Sequence, residues 1–412
     1  MRVAIVHNRY RTSAPSGEDI AVLNERGMLE RHGVEVVSFD RCNDDLDDSS
    51  WGSKGVNAVS SLWSPTARAE LRRLLQEARP DLVHVHNTFA MISPSVYGVC
   101  REAGVPVVQT LHNFRLLCPN GLFLRGGKPC EDCVDRSLLQ SVRHRCYRNS
   151  RAATATLASM LVLHRMLGTY LRHVDRYIAL TRFAREKFVR GGLPAGKLTV
   201  KPNFLPDPPK PGDGAGGYVL FVGRLLEGKG TETLLSAWRT LKEYKLKIAG
   251  DGALRGRLEG MAREWSLNVE FLGSLDRGAV LAAISRAAVL IVPSEWYEGF
   301  PMVIAEAYAC GTPVLASRIG SLDELVLENE TGSKFAAGDP ADLAAALRSM
   351  LGRGAATSPA AAMRKHARAY FETHLTEESN FGQLMSIYQS AMQSAMQSAE
   401  QRVERSASAG SG

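Results

Sequence analysis

Two hydrophobic periods alternate along this chain. Short apolar runs predict strands at 3–7, 34–39, 82–86, 105–111, 176–180 and 198–202, and the longer stretches between them carry apolar residues at helical spacing. The same alternation restarts further on, with strands expected at 218–222, 246–249, 269–272, 289–292 and 313–316. Strand–helix alternation builds parallel, doubly wound sheets, so the pattern predicts two α/β domains. Between them, residues 206–217 include Pro206, Pro208, Pro209, Pro211, Gly212, Gly214, Gly216 and Gly217, a composition that suits neither helix nor strand and reads as a linker. The expected organisation is therefore an N-terminal domain at 1–205 with an insertion at 113–150, the linker, and a C-terminal domain at 218–372. A helix at 373–393 is expected to pack back on the N-terminal domain. Beyond it, the repeat Gln389-Ser390-Ala391-Met392-Gln393-Ser394-Ala395-Met396 and the small-residue end predict a disordered tail at 394–412.

With 412 residues, each half can bury its own core. No apolar run approaches the roughly twenty residues a spanning helix needs, and the apolar start is too short for a signal peptide, so the expected location is the cytosol. The net charge of +7 is unevenly placed. Residues 136–190 hold twelve Lys or Arg against two acids, Asp175 and Glu186. Such a field implies an anionic partner: a membrane surface, a phosphorylated acceptor or nucleic acid. Nucleic acid is set aside because the segment carries no aromatic stacking array or reading motif.

The chemistry concentrates after the 289–292 strand, in Glu298-Gly299-Phe300-Pro301-Met302-Val303-Ile304-Ala305-Glu306. Strand, loop, helix is the implied order, with Pro301 at the first helical position and Glu306 more than a turn inside. The free N–H groups of the helix start would then lie between two carboxylates, a site suited to a sugar diphosphate. The strand at 218–222 runs into Gly223-Arg224-Leu225-Leu226-Glu227-Gly228-Lys229-Gly230, where glycines admit a ligand and Arg224 and Lys229 supply cations for a diphosphate. This is no Walker loop, and the first strand lacks Gly-x-Gly-x-x-Gly, which disfavours a nicotinamide or flavin enzyme. Gly17 stands where a backbone can meet a ligand, and His112 ends the 105–111 strand, facing the cleft. His84 and His86 lie on the strand at 82–86, His84 expected to be packed and His86 to face the cleft.

Taken together, the Glu-x7-Glu pair, the Gly223–Gly230 turn, the Gly250-Asp251-Gly252 turn and the Phe271-Leu272-Gly273 strand end resemble family 4 retaining glycosyltransferases of the GT-B fold. The resemblance spans nearly the whole chain and is most specific in the C-terminal half. It implies an α/β architecture of two Rossmann-like parallel-sheet domains facing each other across a cleft. It also implies roles: Arg224 and Lys229 on the donor diphosphate, Glu298 on the transferred sugar, Glu306 on the ribose, and Gly299, Phe300, Pro301 and Met302 along sugar and phosphate. Gly223 would lie beside the diphosphate, while Gly250, Leu272 and Gly273 would line the base pocket, and Gly17 and His112 would face the site from the other domain. Glu298, His112, Arg224 and Lys229 are thus the expected catalytic group. The common Gly-Gly-x-Glu of the first loop is here Ser16-Gly17-Glu18, with one glycine retained.

The implied reaction is transfer of a hexose from a UDP- or GDP-linked sugar to a glycan or lipid-linked acceptor, in exopolysaccharide, capsule or lipopolysaccharide synthesis on the inner face of the cytoplasmic membrane. A soluble acceptor, or a non-catalytic sugar-nucleotide-binding scaffold of the same fold, are the alternatives. Eight helical residues rise about 12 Å, beyond the roughly 5 to 9.5 Å between paired carboxyls of glycoside hydrolases, so Glu298 and Glu306 are not expected to be a hydrolytic pair. No Asp-x-Asp accompanies these motifs, so no catalytic metal is required. Cys118, Cys130, Cys133 and Cys146 leave two main readings open, a structural zinc site and reduced thiols.

Overall fold

The computed structural model describes residues 1–12, 16–46, 50–352 and 358–409. In the N-terminal half the strands are β1 (Arg2–Arg9), β2 (Glu35–Cys42), β3 (Leu82–Asn87) and β4 (Val107–Leu111), then a short hairpin β5 (Leu124–Arg125) and β6 (Lys128–Pro129), then β7 (Arg176–Ala179) and β8 (Leu198–Val200). Apart from the hairpin they form one parallel sheet in the order β2-β1-β3-β4-β7-β8. The C-terminal half supplies β9 (Tyr218–Val222), β10 (Lys245–Ala249), β11 (Val269–Gly273), β12 (Val289–Val292), β13 (Val314–Ser317) and β14 (Gly332–Phe335). These form a second parallel sheet, β11-β10-β9-β12-β13-β14.

Each sheet is apolar on both faces, because helices cover both. In the first, Val83, Val85 and Leu111 face one core, while Val3, Ile5 and Val108 face another. That second core is closed from outside its own domain. Leu384, Ile387, Tyr388 and Ala391 of the helix Glu377–Ala409 pack into it, so the end of the chain crosses back onto the N-terminal sheet. The helix also runs past residue 394, where composition predicts disorder. Ala, Met, Gln and Glu favour helix, and neither Gly nor Pro interrupts them before Gly410. Residues 410–412 lie outside the described residues.

The linker is a strap bound along its length. Gly212, Gly214 and Gly216 donate their N–H groups to Cys310, Ser285 and Arg286 carbonyls at 2.9, 3.2 and 2.8 Å. Arg364 and Arg368, from the helix Pro359–His374, hold the carbonyls of Gly212 and Pro209 at 3.0 Å each. Proline and glycine here free the chain from regular structure and leave its carbonyls open to these arginines.

Two contacts outside the strap set the domains against one another. Glu324 of the C-terminal domain accepts from the N–H groups of Arg182 and Phe183, both at 2.9 Å, and so caps the helix Arg182–Arg190 of the other domain. The Tyr297 hydroxyl donates to Glu131 in the insertion at 3.0 Å, while its ring packs against Phe183 and Phe123.

Candidate functional site

A cavity of about 1090 Å³ lies between the carboxyl ends of the two sheets. Open α/β sheets place ligands there, because strand ends and helix starts leave backbone groups free. Eleven of the expected residues line it: Gly17, His112, Gly223, Arg224, Lys229, Glu298, Gly299, Phe300, Pro301, Met302 and Glu306. Gly250, Leu272 and Gly273 do not. A side chain on Gly250 would meet the Gly223 carbonyl at 1.9 Å, and its N–H bonds the Gly273 carbonyl at 2.7 Å, so these glycines join strand ends behind the wall. Ala253, Leu254, Leu275 and Val280 form the apolar lining expected of them.

The turn after β9 is built to deliver Lys229. Gly228 and Gly230 take φ of +82° and +68°, and added side chains would strike Trp296 at 2.6 Å and the Pro293 carbonyl at 1.8 Å. Only glycine meets both demands, and the turn therefore seats against the segment leading to Glu298. Between the glycines, Lys229 Nζ reaches Glu298 Oε1 at 2.6 Å. Ser294 Oγ and Trp296 Nε1 donate to the same oxygen at 2.7 and 2.8 Å. Burial works against the Glu298 charge, but the Lys229 ammonium and these donors outweigh it and hold the carboxyl below its ordinary range. Three donors on Oε1 leave Oε2 for a ligand.

Pro301 is the N-cap of the helix Met302–Ala309, one position before its expected place, and the helix start opens on the cavity. Glu306 lies in the second turn, where burial raises its pKa and the charge of Arg277 partly offsets it. Gly299 is confined from the opposite domain: an added side chain would come within 2.6 Å of the His112 carbonyl. Here the two halves of the site touch.

The opposite wall contains a residue that sequence reasoning passed over. Glu18 follows Gly17 at the start of the helix Gly17–Arg31, where Ser16 and Asp19 form a capping box. Nothing in its spacing marks an acid in a first helical turn as buried. Its Oε2 accepts from Asn113 Nδ2 at 3.1 Å and Tyr10 OH at 3.4 Å, while Oε1 is buried without a partner. Burial pushes its pKa up to about 7, against the pull of His7, Asn113 and Arg115. Gly17 beside it has open space where a side chain would go, which leaves the backbone accessible from the cavity.

The cysteine insertion supports the site from outside. Cys118 and Cys133 are buried, Cys118 Sγ donates to Asn120 Oδ1 at 3.0 Å, and Cys118, Cys130 and Cys146 lie close enough to act on Cys133 electrostatically. All four are free. Tetrahedral zinc with bonds of about 2.3 Å needs sulfurs about 3.8 Å apart. Among the described residues the group whose ligand atoms all lie within 4.8 Å is Glu25, His84 and His86, and the cysteines form no such group. Between Cys130 and Cys133, Glu131 binds Lys187 at 2.8 Å, Arg190 at 2.7 Å and Tyr297, which adjoins Glu298.

Comparison with known proteins agrees with this geometry. Residues 12–203 match the glycosyl transferase 4-like domain, and residues 209–370 match glycosyl transferases group 1. Glycogen synthase of Mycobacterium tuberculosis is 28% identical over 404 residues, covering 90% of this chain and 89% of that protein. Sucrose-phosphate synthase of Thermosynechococcus elongatus superposes with a TM-score of 0.69 at 20% identity, covering 94% and 98% of the two chains. HepE of Anabaena in complex with UDP gives 0.66 at 17% identity, covering 95% and 100%.

Glu18 gives this site a pH signature. An acid with a raised native pKa costs stability as pH climbs from its unfolded value near 4.5 through about 7, because only the unfolded chain ionises freely. Glu18→Gln is therefore expected to gain stability relative to the parent between pH 4.5 and 7.5, on the order of 2 kcal/mol. Urea melts at the two pH values measure the gain; an equal difference at both would contradict the assignment.

Proposed function

The chain belongs to the glycosyltransferases, with a 4-like N-terminal domain and a group 1 C-terminal domain in a GT-B arrangement, and from that premise we propose that it is a retaining hexosyltransferase using a nucleotide-diphosphate sugar. The observation that carries the reading is the Glu298 carboxylate, gripped through one oxygen by Lys229, Ser294 and Trp296 with the other left over. Glu298 Oε2 accepts from hydroxyls of the transferred sugar, and Glu306 accepts from the ribose. Arg224, Lys229 and the start of the Met302–Ala309 helix hold the diphosphate and stabilise the charge it gains on leaving. HepE of Anabaena was solved with UDP and with UDP-glucose, which makes a uridine diphosphate hexose the first donor to test.

Transfer proceeds on one face of the sugar. The bond from C1 to the β-phosphate oxygen breaks and its electron pair leaves with the phosphate. The acceptor oxygen bonds C1 from the same side, and its proton passes to the departing phosphate. No protein carboxylate forms a covalent intermediate, so a trapped sugar adduct on Glu298 would refute this route.

The acceptor is a glycan carried on a membrane lipid. Several of the basic residues at 136–190 are already paired within the chain: Arg182 with Glu324, Lys187 and Arg190 with Glu131, Arg185 with the carbonyls of Leu198 and Ala195. Arg143, Arg145, Arg151 and Arg172 stay exposed, in the same segment as exposed Leu139, Met166, Leu167 and Leu171. Cations interleaved with bare apolar side chains suit an anionic bilayer surface. No helix among the described residues is long and apolar enough to cross a membrane.

Thermal shift against UDP, GDP and ADP tests the donor reading. The matching nucleotide at about 100 times its Kd should add about 2.7 kcal/mol, and no shift with any of them would count against it. Lys229→Ala should lower kcat/KM for transfer about 10²- to 10³-fold, as losing a group that stabilises a leaving anion does. For the acceptor, co-sedimentation with phosphatidylglycerol vesicles should fall as salt rises and should weaken in Arg151→Glu/Met166→Ser; binding that ignores salt and substitution would remove the membrane reading.

A further inference from the structure

Beneath the cleft runs a buried polar chain that the proposed reaction does not use. Glu25, His84, His86 and Lys201 are all nearly inaccessible to solvent. Lys201 Nζ bonds Glu25 Oε2 at 3.0 Å and Asn380 Oδ1 at 2.7 Å. Glu25 Oε1 lies 3.0 Å from His84 Nδ1 and 3.4 Å from His86 Nε2. His86 Nδ1 in turn lies 2.9 Å from His112 Nε2, on a residue that lines the cleft.

From this geometry we infer that Glu25 is a positioning residue that fixes the tautomer of His112: the ring carries its proton on Nε2 and keeps Nδ1 as a bare acceptor, so the ligand group it recognises is a hydroxyl that donates. The chain of constraints begins at Lys201. Burial opposes a charge on Glu25, but Lys201 and the neighbouring histidines keep it ionised, and an ionised carboxylate only accepts. Glu25 Oε1 and His86 Nε2, 3.4 Å apart, are not aligned as a hydrogen bond, but a bare Nε2 lone pair that close to a charged oxygen would be repelled, so the field of Glu25 places the His86 proton on Nε2. Burial and its histidine neighbours keep His86 neutral, with its pKa pushed down to about 3, so it has a single ring proton and Nδ1 is bare. Two lone pairs cannot face each other at 2.9 Å, which requires His112 to donate from Nε2. Burial keeps His112 neutral as well, and Nδ1 is the one polar atom its side chain has left.

His84 does not disturb the chain. Both its nitrogens are engaged, Nδ1 with Tyr388 OH at 2.8 Å and Nε2 with Thr110 Oγ1 at 2.8 Å. The carboxylate and two imidazoles come close enough to ligate a metal. The ammonium already on Glu25 and the engaged nitrogens of His84 make the group an ion-paired core instead. His7 is the remaining titratable ring nearby, with its centroid 6.2 Å from that of His86 and its Nε2 on Asp19 at 2.8 Å.

The consequence for recognition rests on His112 contacting the donor sugar; the tautomer itself does not. The test is a long-range proton–nitrogen NMR spectrum of the ligand-free, full-length protein labelled with ¹⁵N-histidine, with His112 assigned from the His112→Asn spectrum. The expected result is a neutral ring protonated at Nε2 alone. Because Glu25→Gln strands the Lys201 charge, the paired variant Glu25→Gln/Lys201→Met is compared. It should show His112 populating both tautomers, with kcat/KM for the hexose donor about tenfold lower. Nδ1–H on His112 in the parent, or an unchanged single tautomer in the variant, overturns the inference. A tautomer shift with donor turnover unaltered supports the relay and refutes the sugar contact instead.

Discussion

The ion pair between Lys229 and Glu298 organises the donor half of the site. A buried pair repays the desolvation of both charges only when geometry is good and further donors satisfy the carboxylate, and here Ser294 and Trp296 do so. To reach that position Lys229 needs a turn that presses onto Pro293 and Trp296, which demands Gly228 and Gly230. The pair also ties β9 to the loop after β12, two neighbours at the centre of the second sheet. Removing either partner would strand the other charge and loosen that junction, so binding and local architecture are coupled.

Much of this was legible in sequence, for identifiable reasons. Strands buried on both faces leave short apolar runs, and nearly all were placed within two residues of their observed ends. The Glu298–Glu306 segment and the Gly-rich turn, which line one cavity, stand out because glycine, proline and fixed charges act through local backbone geometry. Interactions between residues distant in the chain stayed hidden. That Trp296 and Ser294 share an oxygen of Glu298 with Lys229 depends on how a turn folds onto a loop more than sixty residues away. Glu18 is set apart by its burial, which no local pattern announces. β14 and the β5–β6 hairpin are too short, and too polar in part, to announce themselves.

Seen whole, each wall of the cleft is braced from the other domain. The C-terminal helix completes the N-terminal core with Leu384 and Tyr388, and its Asn380 reaches the lysine that holds Glu25 ionised. Glu324 caps an N-terminal-domain helix, and Glu131 of the cysteine insertion holds Tyr297 beside Glu298. His112 and Gly299 meet at the seam. Domain spacing is thereby set beside Glu298 and His112, within the cleft itself.

The proposed division of labour gives Glu298 the transferred sugar and Glu306 the ribose. Isothermal titration with the preferred nucleoside diphosphate and its nucleotide sugar tests it directly, on Glu298→Gln and Glu306→Gln. Glu306→Gln is expected to weaken both ligands by the same factor, and Glu298→Gln to weaken only the nucleotide sugar and leave the bare diphosphate bound at least as tightly. Equal losses for both ligands in Glu298→Gln would contradict it.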